Sequence, residues 1–307
     1  MRLIGDIIKY KDKIRKGIKK YGHFAEHNFT HYLYSEGRLG KNVFFDFGSG
    51  RGVLARFYQG GNSWSLFPNG VLAPKEERLG LLLKTAEYIL KKKKGKKFAV
   101  EVSEELKKEI LDKLHARNLR ACSCNYVLYW PLYNMELWDS ELKGSKWKKL
   151  RNIKNRFLRK NKVKVVDSRT VPKERLKEIV AKWLVKRQKN DKVDKDYYYK
   201  FIENNFKGMD MAKTLYVNGK PCTITAGWKI PNTKNYYSSI GIFDYSYPDL
   251  GEITNIDDLN RAKKEGYEYV DFGGSEKALL SFKRKFRPEK IYKTYIFSIV
   301  RRGVSKK

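Results

Sequence analysis

From residue 214 to residue 300 the chain keeps switching between a two-residue and a 3.6-residue apolar period, an order that few architectures accept. TLYVNGKPCTITAGWKI places Asn218-Gly219 between two alternating apolar runs. Both residues tolerate the positive φ of a tight hairpin turn, so the runs are predicted to pair antiparallel. NYYSSIGIF supplies a third strand, and a helix bearing Ile253, Ile256 and Leu259 runs to a stop at Gly266. The strand YEYVDF, the turn Gly273-Gly274-Ser275, another helix and the strand IYKTYIFSIV complete the pattern. This order specifies an α/β (α+β) fold with a mixed, mostly antiparallel sheet flanked by helices.

At 307 residues the chain is about twice a typical domain. The first half is again mixed. Strand-like runs at 43–47 and in VLARFY and SWSLF precede a helix with Leu79, Leu82, Leu83, Ala86, Ile89 and Leu90 at helical spacing. FAVEV reads as a strand, Ser103 as the cap of a helix with Leu106, Ile110 and Leu114, and YVLYWPLYNMELW as an aromatic strand. Two domains are expected, 1–142 and 163–307. Residues 143–162 form a basic amphipathic connector helix with Trp147, Leu150 and Phe157 on one side and Lys148, Arg151, Asn155 and Arg159 on another.

Lys and Arg outnumber Asp and Glu 67 to 34, a net charge of +33 in a chain too rich in apolar and aromatic residues to be a disordered tail. Such a charge draws polyanions in a salt-sensitive way, or simply solvates the surface. Cys122, Cys124 and Cys222 make no disulfide framework, and no apolar run spans a bilayer, the best being broken by Pro131. A cytoplasmic protein is expected, or one peripheral to a membrane surface. Asp6 and the early lysines exclude a signal peptide. Leu3, Ile4, Ile7, Ile8, Ile14 and Ile18 predict a helical stripe that docks on its own domain rather than on anionic lipid.

Three motifs carry chemistry. FDFGSGRG at 45–52 has the look of a glycine turn for S-adenosylmethionine, but the segment VLARFYQ after Gly52 is too short and too β-rich for the required helix. A hairpin is therefore expected, and a methyltransferase is the weakest reading. His23, Glu26 and His27 spell H-x-x-E-H and His31 extends the spacing. The reading preferred here is a half-exposed helical face, with no metal. At the C-terminal end, Gly273, Gly274 and Ser275 between a strand and a helix would present free N–H groups to an anion, with Lys277, Lys283 and Lys285 nearby.

GYEYVDFGGSEKALLSFKRKFRP resembles the closing segment of the GNAT-related Fem peptidyltransferases and of the phosphatidylglycerol lysyltransferase C-terminal-like family. The resemblance rests on Ala262, Lys263, Gly266, Tyr267, Gly273, Gly274, Phe282, Lys283 and Phe286. WKKLRNIKNRF is similar to the basic segment joining the two halves of those proteins, and HNFTHYLYSEG to the N-terminal part of the lysyltransferase-like group. The resemblance implies two tandem GNAT-like domains, the first degenerate and the second carrying the site. It implies acyl or aminoacyl transfer to an amine or hydroxyl, with Lys283 stabilising the oxyanion or binding donor phosphate. Asp271 is then either proton acceptor or structural.

No permanently bound cofactor is expected; the co-substrate is acyl-CoA or aminoacyl-tRNA. The implied partners are tRNA, tracked by Lys148, Arg151 and Arg159, and an anionic lipid or nucleotide-linked acceptor. DYSYPDLGEITN stands where acyl-CoA enzymes carry a glycine-rich pyrophosphate loop, which favours the tRNA donor, and the coiled-coil arm of some Fem enzymes has no counterpart. The alternative from another class is a non-catalytic RNA-binding protein on a degenerate GNAT scaffold.

Overall fold

Asn218 and Gly219 adopt φ values of 50° and 79°, the pair of positive angles that a tight hairpin demands, and the strands on either side pair as expected. The computed structural model describes residues 1–37, 40–58, 60, 62–187 and 194–303. In chain order the first half comprises β1 (Arg2–Ile4), α1 (Lys11–Tyr21), α2 (Phe29–Tyr34), β2 (Gly40–Gly48), β3 (Arg51–Tyr58), β4 (Ser63–Leu72), α3 (Lys75–Glu87), β5 (Lys97–Ser103), α4 (Glu104–Leu114), β6 (Leu119–Ala121) and β7 (Tyr126–Asn134). The connector α5 (Lys148–Lys160) leads to β8 (Val163–Asp167), α6 (Lys173–Arg187), α7 (Lys195–Glu203), β9 (Met211–Val217), β10 (Lys220–Pro221), β11 (Thr223–Lys229) and β12 (Asn235–Phe243). The chain closes with α8 (Leu250–Lys264), β13 (Tyr269–Asp271), α9 (Lys277–Lys283) and β14 (Lys290–Arg301).

All these strands join one sheet in the order β1-β2-β3-β4-β5-β14-β7-β13-β12-β11-β9-β10, with β6 on β14 and β8 on β9. Among the described strands only β4/β5 and β12/β13 pair in parallel, each through a helix that crosses over the sheet. Those two β–α–β units are the internal repeat. The last strand does not stay with its own half. β14 lies between β5 and β7, and its Phe297 and Ile299 are buried in the first half's core with Phe98, Val100 and Leu82. A split after residue 142 therefore divides the sequence but not the sheet.

Two expectations are corrected. Residues 2–4 are a strand on β2, and the helix begins only at Lys11; Ile14 and Ile18 are buried against the first half while Ile8 stays exposed. Residues 22–28 are not a helical face. Asn28 caps α2 by accepting from the N–H groups of Thr30 and His31, so the helix starts after the motif. His27 is fully buried with both ring nitrogens bonded, Nδ1 to the N–H of His23 and Nε2 to the carbonyl of Asn69. The 45–52 segment is a β2–β3 hairpin, as expected, and not a nucleotide loop.

Candidate active site

β12 and β13 run side by side for three residues, Asn235–Tyr237 against Tyr269–Asp271, and then part. β12 continues to Phe243 while the chain leaves β13 through Gly273, whose φ of 78° only glycine adopts without strain. The opening holds a cavity of about 480 Å3, lined among others by Tyr237, Ser239, Asn255, Gly274, Phe282 and Lys283. Such a splay leaves backbone and side chains of both strands facing one ligand.

Lys283 reaches the cavity from the end of α9, and its Nζ donates to the carbonyls of Phe272 and Gly273, the latter at 3.0 Å. Burial lowers its pKa to about 8, against the pull of Asp271, with Arg187 adding to the lowering. Asp271 is 1% exposed. Its Oδ2 accepts from the Tyr292 hydroxyl at 2.6 Å and its Oδ1 from the N–H of Gly273 at 2.7 Å. Burial pushes its pKa up to about 6, opposed by those two hydrogen bonds and by Lys283. An acid and a base are thus both drawn toward neutral pH, which marks this turn as the candidate site. Asp271, however, is not on the cavity wall among the described residues. Its Oδ1 instead bonds the turn whose carbonyls Lys283 holds, the contact expected of the structural alternative for this residue.

Sequence reasoning missed the groups behind Asp271. Glu101 of β5 accepts from Thr294 at 2.7 Å, Thr294 accepts from the Trp130 indole at 2.8 Å, and Trp130 stacks on Tyr292. Glu26 joins them from the 22–28 loop. Burial raises its pKa, and the nearby charges of Glu101 and Asp271 raise it further. His31, held to about 3 by burial, is neutral and bonds Tyr197 at 2.8 Å, so it brings no charge to balance them. One signal is visible in the sequence: Glu101 is the lone acid inside the apolar strand run FAVEV.

The expected anion turn is not formed. The N–H of Gly273 is taken by Asp271 and that of Ser275 by the carbonyl of Tyr129, while α9 starts at Lys277 and not at Ser275. Gly274 lines the cavity, Lys277 is exposed outside it, and Lys285 is committed to Glu252 at 2.7 Å. On α5, Lys148 and Arg159 are exposed, whereas Arg151 is spent on the carbonyls of Leu142 and Gly144, where it pins the helix start. The first half's equivalent opening, between β4 and β5, is only about 40 Å3 and is walled by Phe24 and Asn69, the residue that His27 holds.

Two crossover splays in one continuous sheet define the class, a tandem GNAT-type fold. The solved structures agree. L-PGS from Bacillus licheniformis superposes with a TM-score of 0.66 at 15% identity, covering 99% of this chain and 94% of that one. FemX gives 0.61 at 12% identity, covering 97% of each chain. A tandem GNAT protein from the clavulanic acid biosynthesis pathway gives 0.56 at 9% identity, covering 99% of each. No curated protein matches by sequence. The family described as phosphatidylglycerol lysyltransferase, C-terminal, matches residues 26–298, and the chain belongs to it. It is thereby a member of a transferase family, and among the described residues no helix is long and apolar enough to cross a membrane.

Proposed function

We propose that the chain transfers an aminoacyl group from charged tRNA to an amine or hydroxyl acceptor, with the reacting carbonyl held in the second splay beside Lys283. The observation that carries this reading is the Lys283 ammonium, fixed by two backbone carbonyls at the cavity wall. The acceptor's lone pair attacks the ester carbonyl, the oxyanion forms against Lys283, and collapse expels the tRNA 3′-oxygen, which takes up the proton released by the nucleophile. Asp271 and Tyr292 keep the Gly273 turn, and with it Lys283, in place.

The helix that would face a CoA pyrophosphate argues for tRNA as donor. Asp249 occupies the N-cap position of α8 at φ 70° with its carboxylate paired to Arg156 rather than to the helix N–H groups, and Glu252 lies in the first turn. Both carboxylates are ion-paired, Asp249 with Arg156 and Glu252 with Lys285, so this helix start presents closed ion pairs where a diphosphate would need bare N–H groups. The net charge of +33 and the exposed Lys148 and Arg159 suit a polynucleotide. Recruitment to a membrane by α1 is not supported, because Ile14 and Ile18 face the protein.

The test is transfer of a radiolabelled aminoacyl group from charged tRNA to soluble amine and hydroxyl acceptors, together with titrations of acetyl-CoA and uncharged tRNA at two salt concentrations. Turnover that disappears in Lys283→Ala, with tRNA binding kept, supports the reading. Saturable acetyl-CoA binding that persists at high salt overturns the donor assignment, and unchanged behaviour of Lys283→Ala overturns the catalytic one.

A further inference from the structure

Among the described residues, no carboxylate and no imidazole lines the cavity beside Lys283. A nucleophile seated there has to lose a proton, so a hydroxyl on the wall must pass that proton outward. Thr254 is already engaged, its hydroxyl donating to the carbonyl of Leu250 at 2.7 Å. Ser238 neighbours Asp258, but that carboxylate, 1% exposed, is paired with Arg261 at 3.2 Å.

Ser239 has a longer connection. Its Oγ is 3.5 Å from the Tyr197 hydroxyl, which is 2.8 Å from Nδ1 of His31. Nε2 of His31 lies 4.0 Å from Oε1 of Glu26. Phe67 and Trp228 pack on the imidazole, with ring centroids 5.3 and 5.2 Å away, and hold its two nitrogens toward these partners. The row runs from β12 through α7 and α2 to the 22–28 loop, so it crosses from the second half of the molecule into the first.

We infer that Ser239, Tyr197, His31 and Glu26 form a proton wire that carries the nucleophile's proton out of the cavity and returns it to the leaving group, an inference that rests on the transfer reaction proposed above. As the acceptor's lone pair closes on the ester carbonyl, its O–H or N–H proton passes to Ser239 Oγ. The Ser239 proton then passes to Tyr197, the Tyr197 proton to Nδ1 of His31, and the Nε2 proton of His31 to Glu26. When the tRNA 3′-oxygen departs, the same exchanges run in reverse and that oxygen takes the proton. His31 changes tautomer and never carries charge, which suits a ring whose pKa burial holds at about 3. The two long contacts must close to about 3 Å for the proton to move, as catalytic hydrogen bonds do when substrate fills a site.

Glu26 suits the terminal position because its surroundings make it a strong base for a carboxylate. Burial raises its pKa, Glu101 of β5 and Asp271 of β13 raise it further, and Arg56 of β3 opposes them. That guanidinium is itself engaged with Asn42 at 3.1 Å and Ser35 at 2.8 Å. Tyr197, Tyr237 and Tyr292 complete the titratable groups around Glu26, and burial keeps all three protonated.

The experiment is the transfer assay above, run across pH on the full chain and on Ser239→Ala, Tyr197→Phe and Glu26→Gln, each checked by a thermal melt. Ser239→Ala and Tyr197→Phe are expected to slow transfer about 100-fold with KM little changed. The unaltered chain should lose transfer as pH falls through a pKa above the ordinary carboxylate range, and Glu26→Gln should be slow and lack that acid limb, which a merely structural carboxylate would not alter. Undiminished rates in Ser239→Ala and Tyr197→Phe, or a pH profile that Glu26→Gln leaves unchanged, overturn the wire and leave the transfer reading standing. Slowing by Ser238→Ala without slowing by Ser239→Ala also overturns it, because the exit would then be Asp258. Absence of transfer by the unaltered chain overturns both readings.

Discussion

The Tyr292 hydroxyl donates to Oδ2 of Asp271 at 2.6 Å, so the strand that returns to the first half of the molecule grips the carboxylate that holds the Gly273 turn of the second. Tyr292→Phe removes that donor from a carboxylate only 1% exposed. The expected cost is about 1–3 kcal/mol of stability, and the Asp271 pKa should move above its present value of about 6. Denaturant titration, with NMR titration of the Asp271 carboxyl, checks both; an unchanged pKa would mean that the hydrogen bond is not made.

The proposed mechanism uses Lys283 as a cation, and burial lowers its pKa to about 8. Transfer should therefore fall as pH rises through about 8. Lys283→Arg, which stays charged, should lose that alkaline limb at a reduced rate, and Lys283→Ala should lower kcat by roughly 100-fold or more. The same shift makes a stability statement. The folded chain gives up this proton at lower pH than the unfolded chain, so stability gains from Lys283 as pH rises from about 8 toward the ordinary lysine value. Asp271 acts in the opposite direction at acid pH. Its raised folded pKa makes stability fall as pH rises from the ordinary aspartate value to about 6, a loss that Asp271→Asn should abolish in melts at pH 4 and 7.

Gly227 sits at the irregularity between β11 and β12, where a Cβ would lie 1.9 Å from the carbonyl oxygen of Tyr237 and 2.6 Å from the Tyr236 hydroxyl. Gly227→Ala must push β12 away from β11 and shift Tyr237 on the cavity wall. A loss of about 1–3 kcal/mol is expected, read as a lowered melting temperature.

If exposed Lys148 and Arg159 each meet a tRNA phosphate, the double change to Gln should weaken binding and reduce the slope of log K against log salt by about 1–2. Arg151→Gln should instead lower stability, because its guanidinium holds the carbonyls of Leu142 and Gly144. Filter binding across a salt series distinguishes the two effects.

Local pattern is enough for most elements. Asn218-Gly219 fixes its turn through backbone sterics, Leu79 to Leu90 fixes a helix through periodicity, and Lys283 is reached through the family resemblance carried by Phe282, Lys283 and Phe286. Those signals depend only on residues near one another in the chain. The 22–28 loop misleads because H-x-x-E-H has helical spacing, whereas burial of His27 against Asn69, 42 positions away, overrides it. Long-range pairing likewise places β14 between β5 and β7, brings Glu26, Glu101 and Asp271 together, and uses up the N–H of Ser275 on Tyr129. The sequence by itself determined the alternation of strands and helices and the sign of the surface. Only the tertiary structure decided which carboxyls lose their water and which amides stay free, because desolvation and hydrogen-bond competition depend on what the rest of the chain brings to each group.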